Sequence, residues 1–271
     1  MKSHLPRLLL ALGALVALGL PLARADGLTD IFERKTLRVG VADFAPWTFV
    51  NPEGKPEGFE IDLGTQLAHD LGAQAEFKLA PLADLFAALD RGEIDLIAAG
   101  LAITPARARQ VEFSMPYFES GTTLVARRSP APSGRAIGAY NQPASVIVVV
   151  ADTYSAGIAA ELLDAAEVRI VPDRPAAEAE LLAGRALAWL TNVPDARLLA
   201  RAHPEELILP LDAPIIRSVS GLAVKRGNQA VLNYLNAWIV SRFADNFLPN
   251  LTDHWFGDYD WTRRLPAPAT P

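Results

Sequence analysis

From residue 36 to residue 98 the chain alternates strand-like and helix-like segments, which limits its possible folds more than any other feature. Residues 36–41, 75–79 and 94–98 read as strands. Between them, residues 59–71 carry Ile61, Leu67, Ala68 and Leu71 on one helical face and stop at Gly72, while residues 82–90 form a helix closed by Arg91-Gly92. A helix between two strands returns the chain so that both strands run the same way, giving a mainly parallel sheet with helices on its faces. A further strand, 122–126, runs into the Pro/Gly/Ser stretch from Ser129 to Gly134, which marks a boundary. A second series follows: strand 146–150, helix 155–163, strand 168–171, helix 176–183, strand 186–191, and helix 193–202 with Pro194 in its first turn. Beyond the segment 210–214 come a strand over 219–224 and a helix from Asn228, its expected N-cap, to about Ala244. The chain is therefore expected to be α/β with two units, and no repeat of solenoid period is present.

The first 25 residues bear on location. Lys2 and Arg7 give a basic start, Leu8 to Leu22 an apolar run, and Ala23-Arg24-Ala25 a small-x-small site, the layout of a secretory signal peptide cleaved after Ala25. No other apolar run reaches spanning length, so no membrane insertion is expected after cleavage. With no cysteine, the chain has no disulfide framework, thiol nucleophile, thiolate metal site or lipid-modified N-terminal cysteine. Stability must come from a core, and 246 residues suffice for two compact lobes. Removing Lys2, Arg7 and Arg24 leaves 22 basic residues against 31 acids, a net charge of −9. Such a surface repels nucleic acid and anionic lipid, and no basic cluster interleaves with aromatics.

The stretch Gly100-Leu101-Ala102-Ile103-Thr104-Pro105-Ala106-Arg107 carries the chemistry. Thr104 is suited to cap a helix and Pro105 to its first position. Arg107 then falls in the first turn, where the positive end of the helix dipole disfavours a cation. A guanidinium placed there fits a carboxylate or phosphate site. It fits equally an ordinary surface helix whose arginine pairs with a nearby acid.

Over nearly the whole mature chain the sequence resembles the family 3 extracellular solute-binding proteins, receptors of amino-acid ABC importers. The resemblance is carried by Leu37-Arg38-Val39-Gly40-Val41, Phe44-Ala45-Pro46-Trp47, Gly58-Phe59-Glu60-Ile61-Asp62-Leu63 and Gly92-Glu93-Ile94-Asp95-Leu96-Ile97. Ile103-Thr104-Pro105-Ala106-Arg107, Phe113-Ser114-Met115-Pro116-Tyr117 and Ser120-Gly121 follow in the family's order and spacing. It implies the type II periplasmic-binding-protein fold, two α/β lobes joined by two hinge strands that close around a ligand. The implied division is 26–127 and 215–264 for the first lobe and 128–214 for the second, with 265–271 a disordered tail.

Residue by residue, the resemblance makes Arg107 the clamp for a ligand α-carboxylate. Gly100 and Ala102 become the strand-end residues that meet ammonium and carboxylate, and Phe44 the aromatic cover. In the second lobe, Asp152-Thr153-Tyr154 occupies the family's Gly-Thr/Ser-Thr turn at a helix N-terminus. Departures are present too: Asn192 stands where the family places an ammonium-binding aspartate, Ala102 lacks the usual hydroxyl, and Leu82 replaces an aromatic. Asp152 is expected to cap the helix that starts near Tyr154, with compensation for the charge missing at Asn192 as the alternative. Trp47, Tyr117, Phe118 and Trp189 are read as packing residues, with a place on the pocket wall as the alternative for Trp189, and Glu60 and Asp62 as acids favoured at a helix start.

These readings predict a periplasmic receptor that binds a small carboxylate, an amino acid or close analogue, and hands it to a membrane permease. It would act as a monomer without cofactor or metal, since His69, His203 and His254 show no ligand spacing. Periplasmic cyclohexadienyl dehydratases also resemble the chain, including Ala196-Arg197-Leu198 and His203-Pro204-Glu205. That resemblance implies a competing enzyme acting on prephenate or arogenate, with Asp195, one methylene shorter than their glutamate, as general acid. Sensor modules and wall-cleaving enzymes share the fold but carry further domains.

Overall fold

The computed structural model describes residues 27–130, 132–257 and 259–265. The expected signal peptide and residues 266–271 of the expected tail lie outside these. Among the described residues no helix is long and apolar enough to cross a membrane.

The first unit opens with helix α1 (Gly27–Arg34), strand β1 (Thr36–Val41) and the short hairpin of β2 (Phe49–Val50) and β3 (Pro56–Glu57). Helix α2 (Phe59–Asp70), strand β4 (Gln74–Leu79), helix α3 (Leu82–Asp90) and strand β5 (Leu96–Ile97) follow. The expected strand over 94–98 is trimmed to β5, yet the amides of Asp95 and Ala98 still donate to the carbonyls of Arg38 and Gly40. β1 pairs in parallel with both β4 and β5, as helix-separated strands must. Next come the single turn α4 (Pro105–Ala108), β6 (Val111–Phe113) and the long strand β7 (Phe118–Arg127).

β7 belongs to the second sheet. It pairs antiparallel with β10 (Ala188–Asn192), and beyond β10 come β8 (Val146–Val150) and then β9 (Glu167–Val171) in parallel array. By hydrogen bonding, then, the second unit begins within β7, because Thr122 already opposes Asn192, whereas the composition boundary at 129–134 comes after the crossing is complete. Helices α5 (Tyr154–Leu162), α6 (Arg174–Leu182) and α7 (Val193–Ala202) cover this sheet, and β11 (Leu207–Ile208) pairs with the far end of β7.

The strand expected over 219–224 is two strands. β12 (Ile216–Ser220) pairs with the start of β7, and β13 (Ala223–Lys225) inserts between β5 and β6 of the first sheet. Gly221-Leu222 carries the chain from one sheet to the other, with the Gly221 amide donating to the Leu101 carbonyl. β7 and β12 are thus the antiparallel pair that links the two lobes. Helices α8 (Gln229–Ala244) and α9 (Phe247–Thr252) return to the first lobe. Asn228 does sit at the N-cap of α8, but its side chain makes no capping bond.

The first lobe's main core combines aliphatic residues of its strands and helices with a set of large rings, among them Trp47, Phe59, Phe118, Trp238, Trp255 and Trp261. In the second lobe, separate aliphatic clusters fill the two faces of the sheet, one under α6 and α7 around Trp189 and one around Leu124, Val149 and Leu190.

Candidate ligand cavity between the lobes

A cavity of about 690 Å³ lies between the lobes. That volume is in the range of small-molecule sites. Phe44, Gly100, Ala102 and Arg107 line it from the first lobe, and Asp152, Thr153, Asn192 and Asp195 from the second. Leu82, Trp47 and Trp189 line it as well, although both indoles are also buried in their lobes' cores.

Arg107 is positioned by its own turn. Thr104 caps α4, its hydroxyl accepting from the Arg107 amide at 3.2 Å, and Pro105 occupies the first position. The guanidinium folds back so that Nη1 donates to the Ala102 carbonyl at 3.1 Å. That is one of its five donors. Its other donors meet no carboxylate among the described residues, and burial alone moves its pKa, downward. The alternative of a surface arginine paired with an acid is not what the structure shows. α4 is a single turn, so the helix dipole adds little and the guanidinium itself supplies the positive charge.

Gly100 is held by two bonds. Its amide donates to Glu60 Oε1 at 2.7 Å, and its carbonyl accepts from Ser220 Oγ at 3.0 Å. Its φ is +56°, and a Cβ there would lie 2.7 Å from the Trp47 ring. Only glycine lets the strand end turn over that ring without displacing it. The ring is fixed from below by edge contacts with Phe59, Phe118 and Phe256.

Glu60 is therefore more than an acid at a helix start. Its side chain is fully buried, and Oε1 also accepts from the Tyr117 hydroxyl at 2.5 Å. Burial pushes its carboxyl up to about 7, against the lowering effect of these two bonds. Asp62 accepts from Trp255 Nε1 at 2.9 Å and ties α2 to the C-terminal segment.

In the second lobe the expected cap is displaced by one residue. Thr153, not Asp152, caps α5: its hydroxyl accepts from the Ala156 amide at 3.2 Å and donates to the Val150 carbonyl at 2.7 Å. Asp152 precedes it with φ of +60°, the left-handed region that glycine fills most easily and aspartate tolerates. Asp152 is exposed, and among the described residues no ion pair engages it.

Asn192 and Asp195 form one unit at the start of α7. Asn192 Oδ1 accepts from the Asp195 amide, and its Nδ2 donates to Asp195 Oδ2, both at 2.9 Å. Thr191 Oγ1 donates to the same carboxylate oxygen at 3.1 Å. Asn192 is thus occupied at both ends by its own helix. Asp195 is 1% exposed, and burial pushes its carboxyl up to about 6 despite the attraction of Arg174 and the two hydrogen bonds.

Sequence reasoning did not single out Arg174. It is the first residue of α6, after the Asp173 cap. Its guanidinium lies 3.4 Å from Asp195 Oδ1, bonds Glu178 Oε1 at 2.6 Å and donates across the cleft to the Ala45 carbonyl at 3.1 Å. Asp43, on the first lobe's rim, feels the same guanidinium; partial burial raises its pKa and Arg174 opposes that rise. The available signal was the one that marked Arg107, an arginine in the first turn of a helix.

Two α/β lobes joined by an antiparallel strand pair, with a cavity between them, define the type II periplasmic-binding-protein class. Within that class the chain belongs to the bacterial extracellular solute-binding proteins, family 3, whose sequence pattern matches residues 37–258. It is 26% identical to the cyclohexadienyl dehydratase of Pseudomonas aeruginosa over 95% of this chain and 96% of that one. To the L-cystine-binding protein TcyJ of Escherichia coli it is 29% identical, over 85% and 86% respectively. Among solved structures, an ancestral amino acid-binding protein that is a precursor of cyclohexadienyl dehydratase superposes with a TM-score of 0.78 at 31% identity, covering 86% of this chain and all of that one.

Proposed function

We propose that this protein is a non-catalytic receptor, exported by cleavage after Ala25, that captures an amino acid and delivers it to an ABC-importer permease. The observation that carries this reading is Arg107: a half-buried guanidinium in the inter-lobe cavity, fixed by one backbone bond and lacking a carboxylate of its own. A ligand carboxylate supplies the missing charge. The first lobe binds it through Arg107 and the strand end at Gly100 and Ala102, with Phe44 as the apolar cover. Thr153 and the Asn192–Asp195 unit then complete the site from the second lobe as the cleft closes. Closure excludes water, and the charged hydrogen bonds strengthen as the local dielectric falls. Calorimetry with the amino acid that gives the largest thermal shift tests the clamp. Arg107→Ala is expected to weaken binding by at least about a hundredfold, because it removes one partner of a buried charge pair. Unchanged affinity would refute the assignment.

A specific observation favours a second reading. Asp195 is a buried carboxyl on the cavity wall held up to about 6, a value suited to a general acid near neutrality. The chain also aligns end to end with a cyclohexadienyl dehydratase. Against it, both hydrogen bonds and the Arg174 contact engage Asp195 within its own lobe and stabilise the ionised form. Incubation with prephenate or arogenate, followed by product absorbance, decides between the two. Turnover abolished by Asp195→Asn would establish the lyase, and no turnover alongside amino acid binding the receptor.

A further inference from the structure

The charges around the cavity are unequal. Asp43, Asp152, Asp173 and Asp195 line it, against Arg107 and Arg174. Arg174 is already divided among three acids: Glu178 takes its shortest contact, Asp195 lies at 3.4 Å, and Asp43 feels its charge from across the cleft. Asp195 Oδ1 is buried and accepts no hydrogen bond among the described residues. Asp173 is committed to capping α6, while Asp152 carries a further negative charge on the second lobe. If Arg107 takes a carboxylate, as the receptor reading holds, the rest of the wall remains negative. A neutral amino acid brings one ammonium to this surplus, and an acidic one adds to it.

We propose that the cavity selects a dibasic amino acid, one carboxylate and two positive charges, with Asp43 and Asp195 as specificity-determining residues. Arg107 holds the carboxylate. The two cationic groups share the surplus carboxylates, one of them entering between Asp43 and Asp195, where Arg174 is outnumbered. Phe44 and Tyr154 line the same space and offer aromatic faces to the ligand's stem and cationic end. The cavity is also roomy enough for a long side chain.

The test uses the full mature chain and three ligands of similar length and different charge: L-lysine, L-glutamine and L-glutamate. Calorimetry is expected to rank them in that order, with lysine at least about tenfold tighter than glutamine. In Asp43→Asn, an exposed substitution that spares the core, the lysine-to-glutamine affinity ratio is expected to fall by about tenfold. Asp195→Asn should lower the same ratio. A preference for glutamine or glutamate, or a ratio unchanged in Asp43→Asn, overturns this proposal and leaves the receptor reading intact. Failure of all three to bind overturns this proposal, and failure of every amino acid in a thermal-shift screen overturns both.

Discussion

Arg107 and Arg174 each stand in the first turn of a helix, where the helix dipole disfavours a cation, and of the two Arg174 has a local partner in Glu178 one turn on. The sequence exposed the first because Thr104-Pro105 announces a helix start directly after an apolar strand. Asp173-Arg174-Pro175 announces one just as clearly, but its importance lies in partners from the other lobe and another helix, which spacing along the chain does not reveal. Glu60 was hidden for a related reason. An acid at a helix start is ordinary, and only the tertiary fold places it beneath Gly100 and Tyr117. Its pKa makes a prediction. In the unfolded chain Glu60 ionises near 4.5, whereas the fold holds it at about 7. The native state therefore binds more protons across that window, so stability falls as pH rises from about 4.5 through 7, by up to about 3 kcal/mol from this group. Asp195 acts in the same direction from about 4 to 6. Glu60→Gln keeps an acceptor for both donors and removes the titration. Urea midpoints measured from pH 4.5 to 8 should decline less steeply in the variant, and identical slopes would refute the account.

At the scale of elements, helices and buried strands were legible because their hydrophobic period is local. Residues 82–90, 146–150 and 193–202 begin and end where the pattern changes. Junctions were less legible. Residues 219–224 show one continuous strand pattern, yet hydrogen bonding assigns the two halves to different sheets, since β7 takes one and β5 with β6 the other. The cap of α5 shifted from Asp152 to Thr153 because the turn needs a left-handed residue just before the cap. Gly100 is the sharpest test of such a junction. Gly100→Ala places a methyl against Trp47 at 2.7 Å and forces alanine into a left-handed backbone. The backbone strain and the overpacking together should cost about 2–5 kcal/mol. Chemical denaturation should show the loss, with a change in Trp47 fluorescence as the ring moves. A loss below about 0.5 kcal/mol, the range of neutral surface changes, would show that the strand end has room to relax.

Across the whole molecule, the return of the last strand to the first lobe could be inferred from resemblance but not from pattern, because nothing in β13 itself specifies a partner. The relation of the lobes was still less legible, and it turns on contacts from two ends of the second lobe's helices. Near the linking strands, Leu198 of α7 packs into the first lobe's main core, and the Arg201 guanidinium lies 4.8 Å over the Tyr259 ring. At the cavity, Arg174 of α6 reaches the Ala45 carbonyl. Opening about β7 and β12 can leave the α7 contacts near the pivot in place, but it must break the Arg174 bond. Arg174 is therefore expected to favour closure. Arg174→Ala should shift the population toward open forms, enlarging the radius of gyration at low ligand concentration and weakening affinity by the fraction of closed protein lost. The same substitution also strips a buried carboxylate of its partner, so the double variant Arg174→Ala/Asp195→Asn separates the two effects. If the cross-lobe bond matters, small-angle scattering should show both variants opened to a similar degree. If the double variant returns to the parent's compactness, Arg174 acts by neutralising Asp195, and the bond to Ala45 contributes nothing to closure.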